Sequence, residues 1–481
     1  MCRLFLSMAL LCAVFTAAPL KTRATTENPT QEKIDNYIRE VMTVHGIPGI
    51  ALAVIKDGKT IHEGYYGYAN LEHRVPVSEN QMFWVYSSTK LLTSVAVFQL
   101  IEEGKLSVET YVHTLFPNFP ETWKKVQVKH LLSYSSGLPD ILEHRLAFKD
   151  LTEAEIIDRL AKYDMQFETG ARYRYNQTNF WLLSRIIAKL SGQSFEDFVL
   201  SHQLENTKSA LFNSNAFEVI PNRIVKYNFN RTSKTYERLD FNAGPVAHSS
   251  NGLNISLNEF IKWNNRLDKG ELLKNSTKQQ MWQQFHYSNS DRRFMHGWDY
   301  YPLAGVDSIG FTGGGVSSFR KFPTEDLTII YLSNGFEYQI IHNTVINHVA
   351  SLVDEKLYDK NKLIHEQVTN SFLAYDFDDA IARYTKLKAD NSDINMEAIV
   401  NDVGYMLMRK RDLESATKLF AVNVKDFPNS WNTYDSLADA YERSGDKAHA
   451  IEFYRKATEH NPGAEQMKRI EATIKRLSET E

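Results

Sequence analysis

The segment from Lys90 to Leu106 places the strongest constraint on the fold, because it would form a helix that is apolar on almost every side. It reads KLLTSVAVFQLIEEGKL, with polar side chains beginning at Gln99 and Glu102, and Gly104 stands where a helix C-terminus favours glycine. A helix of this kind has to be enclosed by other elements. Hydrophobic residues make up 43% of the 481-residue chain and charged residues 24%, which is the composition of a protein with a substantial core.

Strand signals occur on both sides of this helix in the sequence. The earlier one, IPGIALAVIKDGKTIHEGYYGYAN, has two apolar runs around Asp57-Gly58, which is a hairpin turn signal. The later one, at 327–332, is a short β-branched run typical of a core strand, and 181–190 has helical spacing that stops at Gly192. We therefore expect an α+β domain in which strands at both ends enclose helices.

The composition changes after about Leu357, where loops rich in glycine and aromatic residues give way to charged, helical sequence, so we place a domain boundary near Lys360. A period of 34 residues then pairs Gly404 with Ala438, Leu407 with Tyr441, Asp412 with Asp446, Ala416 with Ala450, Phe420 with Tyr454, and Pro428 with Pro462. This is the tetratricopeptide period. Two repeats are readable, and a third, degenerate one is expected around Ala380 and Tyr384; the alternative is a plain helical appendage.

The N-terminus has the layout of a cleavable secretory signal. Met1, Cys2 and Arg3 precede the apolar run LFLSMALLCAVFTAA, which ends in small residues and is too short for a membrane span. We expect residues 1–24 to be a signal peptide and the protein to be periplasmic or secreted; a lipid anchor at Cys12 is the alternative. Since both cysteines lie in this segment, the mature chain should have no disulfide and no cysteine-ligated metal.

The charge balance limits the classes of partner. Lysine and arginine number 55 and aspartate and glutamate 59, for a net charge of −4. This balance gives no long-range field that would attract a polyanion, so we expect no nucleic-acid partner. Nothing in the sequence calls for a metal or an organic cofactor, and His62, His73, His130 and His144 lack the spacing of metal ligands.

A hydroxyl and an amine stand one helical turn apart in the S-x-x-K string from Ser87 to Lys90. The same string occurs at Ser318, Ser415 and Ser444, so the string alone is weak evidence. Ser87 differs because it begins the buried helix, where free backbone N–H groups favour a developing negative charge. Burial should also lower the pKa of Lys90, so that the neutral amine could accept the serine proton.

The chain from His45 to about Val353 resembles the class C β-lactamase and D-alanyl-D-alanine peptidase family, which also includes esterases and D-amino-acid peptidases. Five blocks support the resemblance: HGIPGIALAVIKDGK, VYSSTKLLTSVAVFQLIEEGKL, HLLSYSSGLPD, GARYRYNQTNFWLLSRIIAKLSGQSFEDF and GFTGGGVSSFRKFPTEDLTIIYLSN. It implies an antiparallel sheet flanked by helices, with an all-helical subdomain, over 30–357. The helical repeats would follow at 362–481.

The resemblance also implies roles for individual residues. Ser87 would be the acylated nucleophile, Lys90 its proton partner and Tyr175 the phenol that moves protons to the leaving group. The oxyanion hole would consist of the backbone N–H groups of Ser87 and Gly314. A phenol becomes a usable base only beside a positive group, which Lys90 would supply; without the motif, a packed aromatic side chain is the alternative for Tyr175.

Two positions depart from the family pattern. The family has Tyr-x-Asn where this chain has Gln177 as the third residue, and it has Lys or His where Phe311 precedes Thr312 and Gly313. All four residues are candidate substrate-binding positions. An apolar Phe311 suits a neutral ester or amide better than a substrate carboxylate.

The glycines that follow Thr312 fit an edge strand along which a substrate amide could bind, or alternatively a bulge or loop; they are Gly313, Gly314 and Gly315.

Two functions remain open at this point. The first is acyl transfer through an acyl-enzyme on Ser87, acting on a small-molecule or peptide substrate that is a β-lactam, a D-amino-acid peptide or a carboxylic ester. The second is a catalytically weak binding protein, in which Gln177 and Phe311 mark a lost activity. In both cases the repeats could recruit a protein partner.

Overall fold

The computed structural model describes residues 29–116, 118–143, 151–231, 233–336 and 341–479. The expected signal peptide, with Cys2 and Cys12, lies outside these ranges. No helix in the described ranges is both long enough and apolar enough to cross a membrane.

The strands in the part of the chain that the structure describes form one large and two small sheets. In chain order they are β1 Gly49–Lys56, β2 Lys59–Asn70, β3 Val75–Pro76, β4 Met82–Trp84, β5 Ala210–Phe212, β6 Tyr227–Asn230, β7 Thr235–Arg238, β8 Leu253–Ser256, β9 Asp299–Tyr300, β10 Ile309–Gly313, β11 Ser317–Phe322, β12 Leu327–Ser333 and β13 Gly335–Phe336. The large sheet has the order β3-β2-β1-β12-β11-β10-β9 and is antiparallel throughout. The small sheets have the orders β13-β6-β7 and β4-β8-β5.

The hairpin expected at Asp57-Gly58 is confirmed. Lys56 pairs with Lys59, and the two residues between them have φ of 51° and 68°. A two-residue turn with positive φ at both positions matches the twist of the flanking strands. The strand expected at 327–332 is also confirmed, as β12, which pairs with β1 at the centre of the sheet.

Before the C-terminal region, the described residues contain ten α-helices: α1 Pro29–His45, α2 Thr89–Glu102, α3 Val128–Leu132, α4 Glu153–Leu160, α5 Gln177–Ser191, α6 Phe195–Gln203, α7 His248–Asn251, α8 Leu257–Asp268, α9 Asn275–Met281 and α10 Ile341–Val353. Alternate residues of β1 point to opposite sides of the sheet. Ile50, Leu52 and Val54 pack with α1 and α10, whereas Ala51 and Ala53 belong to the larger core on the other side.

The apolar helix is confirmed as α2, and its residues from Thr89 to Phe98 are all buried. It contacts α5, α6, α7 and α9, which explains why it needs no polar face. The helix expected from 181 is confirmed as α5, which ends at Gly192 in the left-handed conformation. The segment between β4 and β5 is mainly helical and covers one side of the large sheet, so the antiparallel sheet flanked by helices is confirmed.

The C-terminal region is all helical: α11 Lys360–Ala374, α12 Phe377–Asp390, α13 Met396–Arg409, α14 Leu413–Asp426, α15 Trp431–Ser444, α16 Lys447–Glu459 and α17 Ala464–Glu479. Residues that are 34 apart occupy equivalent places in it. Asp412 caps the N-terminus of α14 and Asp446 that of α16. Gly404 lies so close to Phe420 that an added Cβ would be 2.4 Å from the ring, which lets α13 and α14 pack closely.

A buried carboxylate joins this region to the preceding domain. Glu366 of α11 accepts a hydrogen bond of 2.6 Å from the Tyr37 hydroxyl of α1, and its other oxygen lies 2.7 Å from Nδ1 of His348 in α10. The rings of Tyr37 and His348 are stacked with centroids 3.7 Å apart. Three helices are thus tied together at one buried point.

Candidate active site

Ser87 lies in a short 3-10 turn, Tyr86–Ser88, between the end of β4 and the start of α2. Tyr86 has φ of 46°, in the left-handed region that residues other than glycine rarely adopt. Since α2 continues directly from this turn, Ser87 is held at the N-terminal end of a buried helix, as expected from the sequence. The strain at Tyr86 is a feature that the sequence does not reveal.

The structure brings the three expected catalytic side chains together. The hydroxyl oxygen of Tyr175 lies 2.6 Å from Ser87 Oγ, and Lys90 Nζ donates to the same Oγ at 3.2 Å. Tyr175 follows a loop and comes just before α5, 88 residues away from Ser87 in the chain. The Tyr175 side chain keeps 38% of its surface exposed, so this cluster is open to a substrate.

Lys90 is fully buried at the base of the cluster. Its Nζ lies 4.9 Å from the ring centroid of Tyr175, 5.3 Å from that of Phe180 and 5.8 Å from that of Phe311. Burial lowers the pKa of Lys90, although Tyr175 and Asp140 act in the opposite direction. The ammonium form is therefore less favoured here than in water.

The pKa of the Tyr175 phenol also lies below its ordinary value. Desolvation of the hydroxyl by the surrounding protein is the largest single influence and raises it, but the nearby Lys90 and polar contacts with Lys90, Ser87 and Gln177 together lower it by more. Both groups therefore lose a proton more readily here than in water, Lys90 because it is buried and Tyr175 because Lys90 is beside it. Two ionisable groups that interact in this way are expected to titrate together.

Strand β10 runs directly beside the turn that holds Ser87. A Cβ on Gly313 would lie 1.9 Å from the carbonyl oxygen of Val85 and 2.9 Å from the backbone nitrogen of Ser87. Only glycine permits this approach. Gly313 is therefore required by the contact between two backbones, a reason different from the substrate contact expected from the sequence.

The expectation of an edge strand along the three glycines is wrong for two of them. Gly313 ends β10, whereas Gly314 and Gly315 form the turn into β11, with φ of 53° and 72°. Strand β9 pairs with β10 only at Ile309 and Gly310, so the end of β10 near Ser87 lies beyond that pairing. Two positive φ values in succession suit a tight turn between β10 and β11. Gly314 and Gly315 therefore form a loop, which was the alternative to an edge strand.

Two buried serines fasten β10 and β11 to the turn of Ser87. Ser88 Oγ donates to the Phe311 carbonyl at 3.3 Å and lies 2.9 Å from Ser317 Oγ. Ser317 Oγ also lies 2.6 Å from the Val85 carbonyl. These hydrogen bonds fix the distance between Ser87 and the glycine turn that contains Gly314.

The side chains of Phe311 and Thr312 point in different directions. Phe311 is only 5% exposed and packs near Tyr175 and Phe294, with centroids 6.4 Å away in both cases. It therefore forms part of the apolar wall beside Lys90. Thr312 is half-buried and lies close enough to Tyr301 to affect the pKa of its phenol.

Gln177 is the first residue of α5, and its side chain lies near enough to Tyr175 to help lower the pKa of that phenol. The neighbouring Asn176 caps α5 and donates to the Leu138 carbonyl at 2.6 Å, so its side chain has a structural role. Gln177 therefore lies beside the cluster, although it is longer than the asparagine of the family pattern.

Two groups near Lys90 were missed by the sequence reasoning. The carbonyl of Ser250 accepts a hydrogen bond of 2.6 Å from Lys90 Nζ. The Asp140 carboxylate accepts from the backbone N–H of Gln177 and of Leu142, and its pKa is raised by burial. Asp140 closes the block HLLSYSSGLPD, which was the available signal, whereas a backbone carbonyl has no signal in a sequence.

In the described ranges, no group of three or more histidine, cysteine, aspartate or glutamate side chains is arranged to hold a metal ion. His62 and His130, two of the histidines that lack the spacing of metal ligands, have protein partners, and His144 lies outside the described residues. His62 Nε2 lies 2.8 Å from the Tyr66 hydroxyl, and His130 Nδ1 accepts from the backbone N–H of Gln127 at 3.0 Å.

Comparison with known proteins gives the family. Residues 34–350, more than half of the chain, match the model of the Beta-lactamase family. Protein flp of Staphylococcus aureus (strain MW2) is 26% identical over 184 residues, which are 37% of this chain and 37% of that relative. The chain thus matches well under half the length of this curated relative.

Solved structures show the same fold at low sequence identity. The octameric penicillin-binding protein homologue from Pyrococcus abyssi has a TM-score of 0.60 at 22% identity, over 71% of this chain and 81% of that one. The D-amino acid amidase from Ochrobactrum anthropi SV3, complexed with L-phenylalanine amide, has a TM-score of 0.55 at 19% identity, over 67% and 98%. With the family model spanning the sheet, α2 and the glycine turn, the chain belongs to the beta-lactamase family of serine hydrolases.

Proposed function

We propose that the protein transfers acyl groups through an ester formed on Ser87. The observation that supports this most directly is the cluster in which Ser87 Oγ lies 2.6 Å from the Tyr175 hydroxyl and 3.2 Å from Lys90 Nζ. A serine hydroxyl is a weak nucleophile until a neighbouring base takes its proton. Here two groups with lowered pKa values touch the same oxygen.

Acylation would proceed as follows. The proton of Ser87 passes to the deprotonated Tyr175, while Oγ forms a bond to the substrate carbonyl carbon. The backbone N–H groups of Ser87 and Gly314 stabilise the oxyanion. The intermediate then collapses, the bond to the leaving group breaks, and that group takes the proton from Tyr175.

Deacylation would reverse the roles. Water attacks the ester carbonyl as Tyr175 takes one of its protons, and the ester bond to Oγ breaks. Ser87 regains its proton from Tyr175 and the carboxylic acid leaves. Lys90 keeps the phenol acidic throughout, which is the function of a positive group beside a phenolate.

We propose a neutral amide or ester as substrate. Phe311 places an apolar ring where the family pattern has Lys or His, so this position offers no charge to a substrate carboxylate. The D-amino acid amidase that shares the fold is described in complex with L-phenylalanine amide, a compound that has no carboxylate. The alternative is a weakly active binding protein, in which Gln177 and Phe311 mark lost catalysis.

The test is covalent labelling of the purified protein with a fluorophosphonate, a fluorescent penicillin and p-nitrophenyl acyl esters, with intact mass as the readout. We expect labelling or ester turnover that disappears in Ser87→Ala. Ser415→Ala is the matched control, because it removes the serine of another S-x-x-K string, on α14, and should label normally. Absence of any adduct in folded protein would favour the binding-protein alternative.

Phe311→His tests the substrate class. Penicillin reactivity gained by this variant would support the proposal that the missing imidazole determines which acyl groups are accepted. If wild type already reacts with penicillin as fast as Phe311→His, a neutral substrate is not what this position selects.

We further propose that the protein is exported and that 362–481 are tetratricopeptide-like repeats that bind a protein partner. The core cluster of the C-terminal helices begins at Ile364 and that of the large sheet ends at Leu357, in support of the division into 30–357 and 362–481. N-terminal sequencing of secreted material tests the cleavage after about residue 24. Capture with the C-terminal region attached and with it deleted tests the partner.

A further inference from the structure

Lys226 is a buried lysine that the proposed mechanism does not use. It lies just before β6, its side chain is 8% exposed, and its Nζ has no hydrogen-bond partner among the described residues. What Nζ does meet is the ring of Tyr86, at 3.7 Å from the centroid. An amine donates N–H to a ring face in either protonation state, and the attraction is strongest when it is charged.

Tyr86 is the residue immediately before Ser87, and it has the left-handed φ of 46°. Its ring is stacked on that of Trp84, with centroids 4.4 Å apart and planes 12° apart. The Tyr86 hydroxyl is buried and has no hydrogen-bond partner in the described part of the chain. The position of the ring is therefore set by contacts on its faces.

The same ring also contacts the turn that contains the second backbone N–H of the oxyanion hole. A Cβ on Gly314 would lie 2.8 Å from Cγ of Tyr86 and 3.1 Å from both Cδ atoms. Tyr86 thus fills the space between Trp84, Lys226 and the backbone of Gly314. A shift of this ring would move Ser87 and Gly314 relative to each other.

We propose that Lys226 is a positioning residue for acyl transfer: its amino group holds the Tyr86 ring, and through it the left-handed turn, so that the N–H groups of Ser87 and Gly314 converge on one oxyanion. This inference rests on the proposed function. A buried amine without a hydrogen-bond partner opposes folding, and an apolar side chain of the same length would be better for stability. Lys226 therefore lowers the stability of the fold but aligns the two N–H groups for acyl transfer.

The test replaces Lys226 with methionine and measures two quantities, the second-order rate of fluorophosphonate labelling of Ser87 and the Tm. Misalignment of an oxyanion hole costs orders of magnitude in rate, so we expect labelling to slow about 10- to 100-fold. The Tm should not fall, because the variant removes an unpartnered polar group.

Lys278→Met is the matched control. Lys278 is also buried, at 6% exposure, but its Nζ donates to the carbonyls of Leu267 and Asp268 at 2.8 and 2.9 Å. This variant removes two hydrogen bonds, one of them to the buried residue Leu267, so its Tm should fall while its labelling rate stays within about twofold of wild type. Lys226→Met should therefore slow labelling without lowering the Tm, and Lys278→Met should lower the Tm without slowing labelling.

A double-mutant cycle with Tyr86→Leu tests the route of the effect. If Lys226 acts through the Tyr86 ring, Lys226→Met should slow labelling much less in the Tyr86→Leu background than in wild type. Equal effects in both backgrounds would overturn the proposed route.

The outcomes separate this inference from the proposed function. Wild type that labels, together with Lys226→Met that labels at the same rate, overturns the positioning role alone. A rate loss accompanied by a fall in Tm like that of Lys278→Met also overturns it, because packing would then explain both changes. Wild-type protein that never labels at Ser87 overturns the proposed function, and this inference with it.

Discussion

Lys90 Nζ donates a hydrogen bond of 2.6 Å to the main-chain carbonyl of Ser250 and a longer one of 3.2 Å to Ser87 Oγ. A carbonyl oxygen holds the amine in place without the full negative charge of a carboxylate. It therefore stabilises the protonated form less than an ion pair would. The carbonyl of Ser250 therefore fixes the position of Lys90 without raising the pKa of its amine as much as a carboxylate would.

The pH dependence of Ser87 labelling follows from this arrangement. The pKa values of Lys90 and Tyr175 are both lowered, so the pair should lose its proton below the range near pH 10 where free phenols and amines titrate. The rate should rise with pH through that lowered value, because the pair that has lost one proton, with Tyr175 as the phenolate, is the form that accepts the serine proton. The measurement is the fluorophosphonate labelling rate as a function of pH.

Tyr175→Phe is the control for this profile. It removes the proton acceptor and should slow labelling about 10²- to 10⁴-fold. An acid limb centred at pH 10 or above in wild type, or an unchanged profile in Tyr175→Phe, would contradict the coupled pair.

Gly313→Ala should damage both activity and stability. The new methyl group would lie 1.9 Å from the Val85 carbonyl oxygen, so β10 has to move away from the turn of Ser87. We expect a destabilisation of about 1–3 kcal/mol and a labelling rate at least about tenfold lower. Denaturant unfolding and labelling kinetics measure the two effects.

Gly58→Ala provides the comparison for this variant. Gly58 has φ of 68° but has open space around the added Cβ, so only local strain of about 1 kcal/mol is expected, with normal labelling. If Gly313→Ala labels as fast as Gly58→Ala, the close approach of β10 is not required for reactivity.

Glu366→Ala should loosen the C-terminal helices from the preceding domain. Glu366 is buried and accepts from Tyr37 and contacts His348, so the variant leaves both partners without an acceptor. We expect a loss of about 2–4 kcal/mol, measured by denaturant unfolding, and faster proteolysis between Leu357 and Lys360.

Tyr37→Phe removes one of these hydrogen bonds and keeps the ring that stacks on His348. Its expected cost is smaller, about 1 kcal/mol. A Glu366→Ala variant as stable as Tyr37→Phe would show that the carboxylate does not join the two regions.

Gly404→Ala should overpack the contact between α13 and α14. The added Cβ would lie 2.4 Å from the Phe420 ring, at an expected cost of about 1–3 kcal/mol in the free energy of unfolding. Phe420→Leu in the same chain removes the obstructing ring and should reduce the cost of Gly404→Ala. Thermal unfolding of the four proteins of this cycle gives the coupling, and purely additive effects would argue against the contact.

The sequence predicted those elements whose cause is local. Asp57-Gly58 contains the residue types that a two-residue hairpin needs, and the apolar circumference of α2 requires burial wherever the helix lies. The S-x-x-K spacing places Ser87 and Lys90 on one side of a helix, so their contact could also be anticipated.

The remaining features depend on contacts between distant parts of the chain. The acceptor for Lys90 is the backbone carbonyl of Ser250, and a carbonyl looks the same in every residue. Nothing in the sequence distinguishes Lys226 from the other lysines, because its contact with the Tyr86 ring joins residues far apart in the chain. The turn at Gly314 and Gly315 was predicted as strand because a run of glycines fits both, and only the register of β10 with β11 decides.

The pairing of β1 with β12 has a consequence for how the protein is made. Ile50 lies opposite Ser333, so the centre of the large sheet joins segments that leave the ribosome far apart in time. At about 5–20 residues per second, the first hairpin waits roughly 15–60 seconds for its neighbour. Throughout that interval the edge of β1 that pairs with β12 in the folded sheet has its backbone groups unpaired, whereas each helical hairpin of the C-terminal region can form as soon as it emerges.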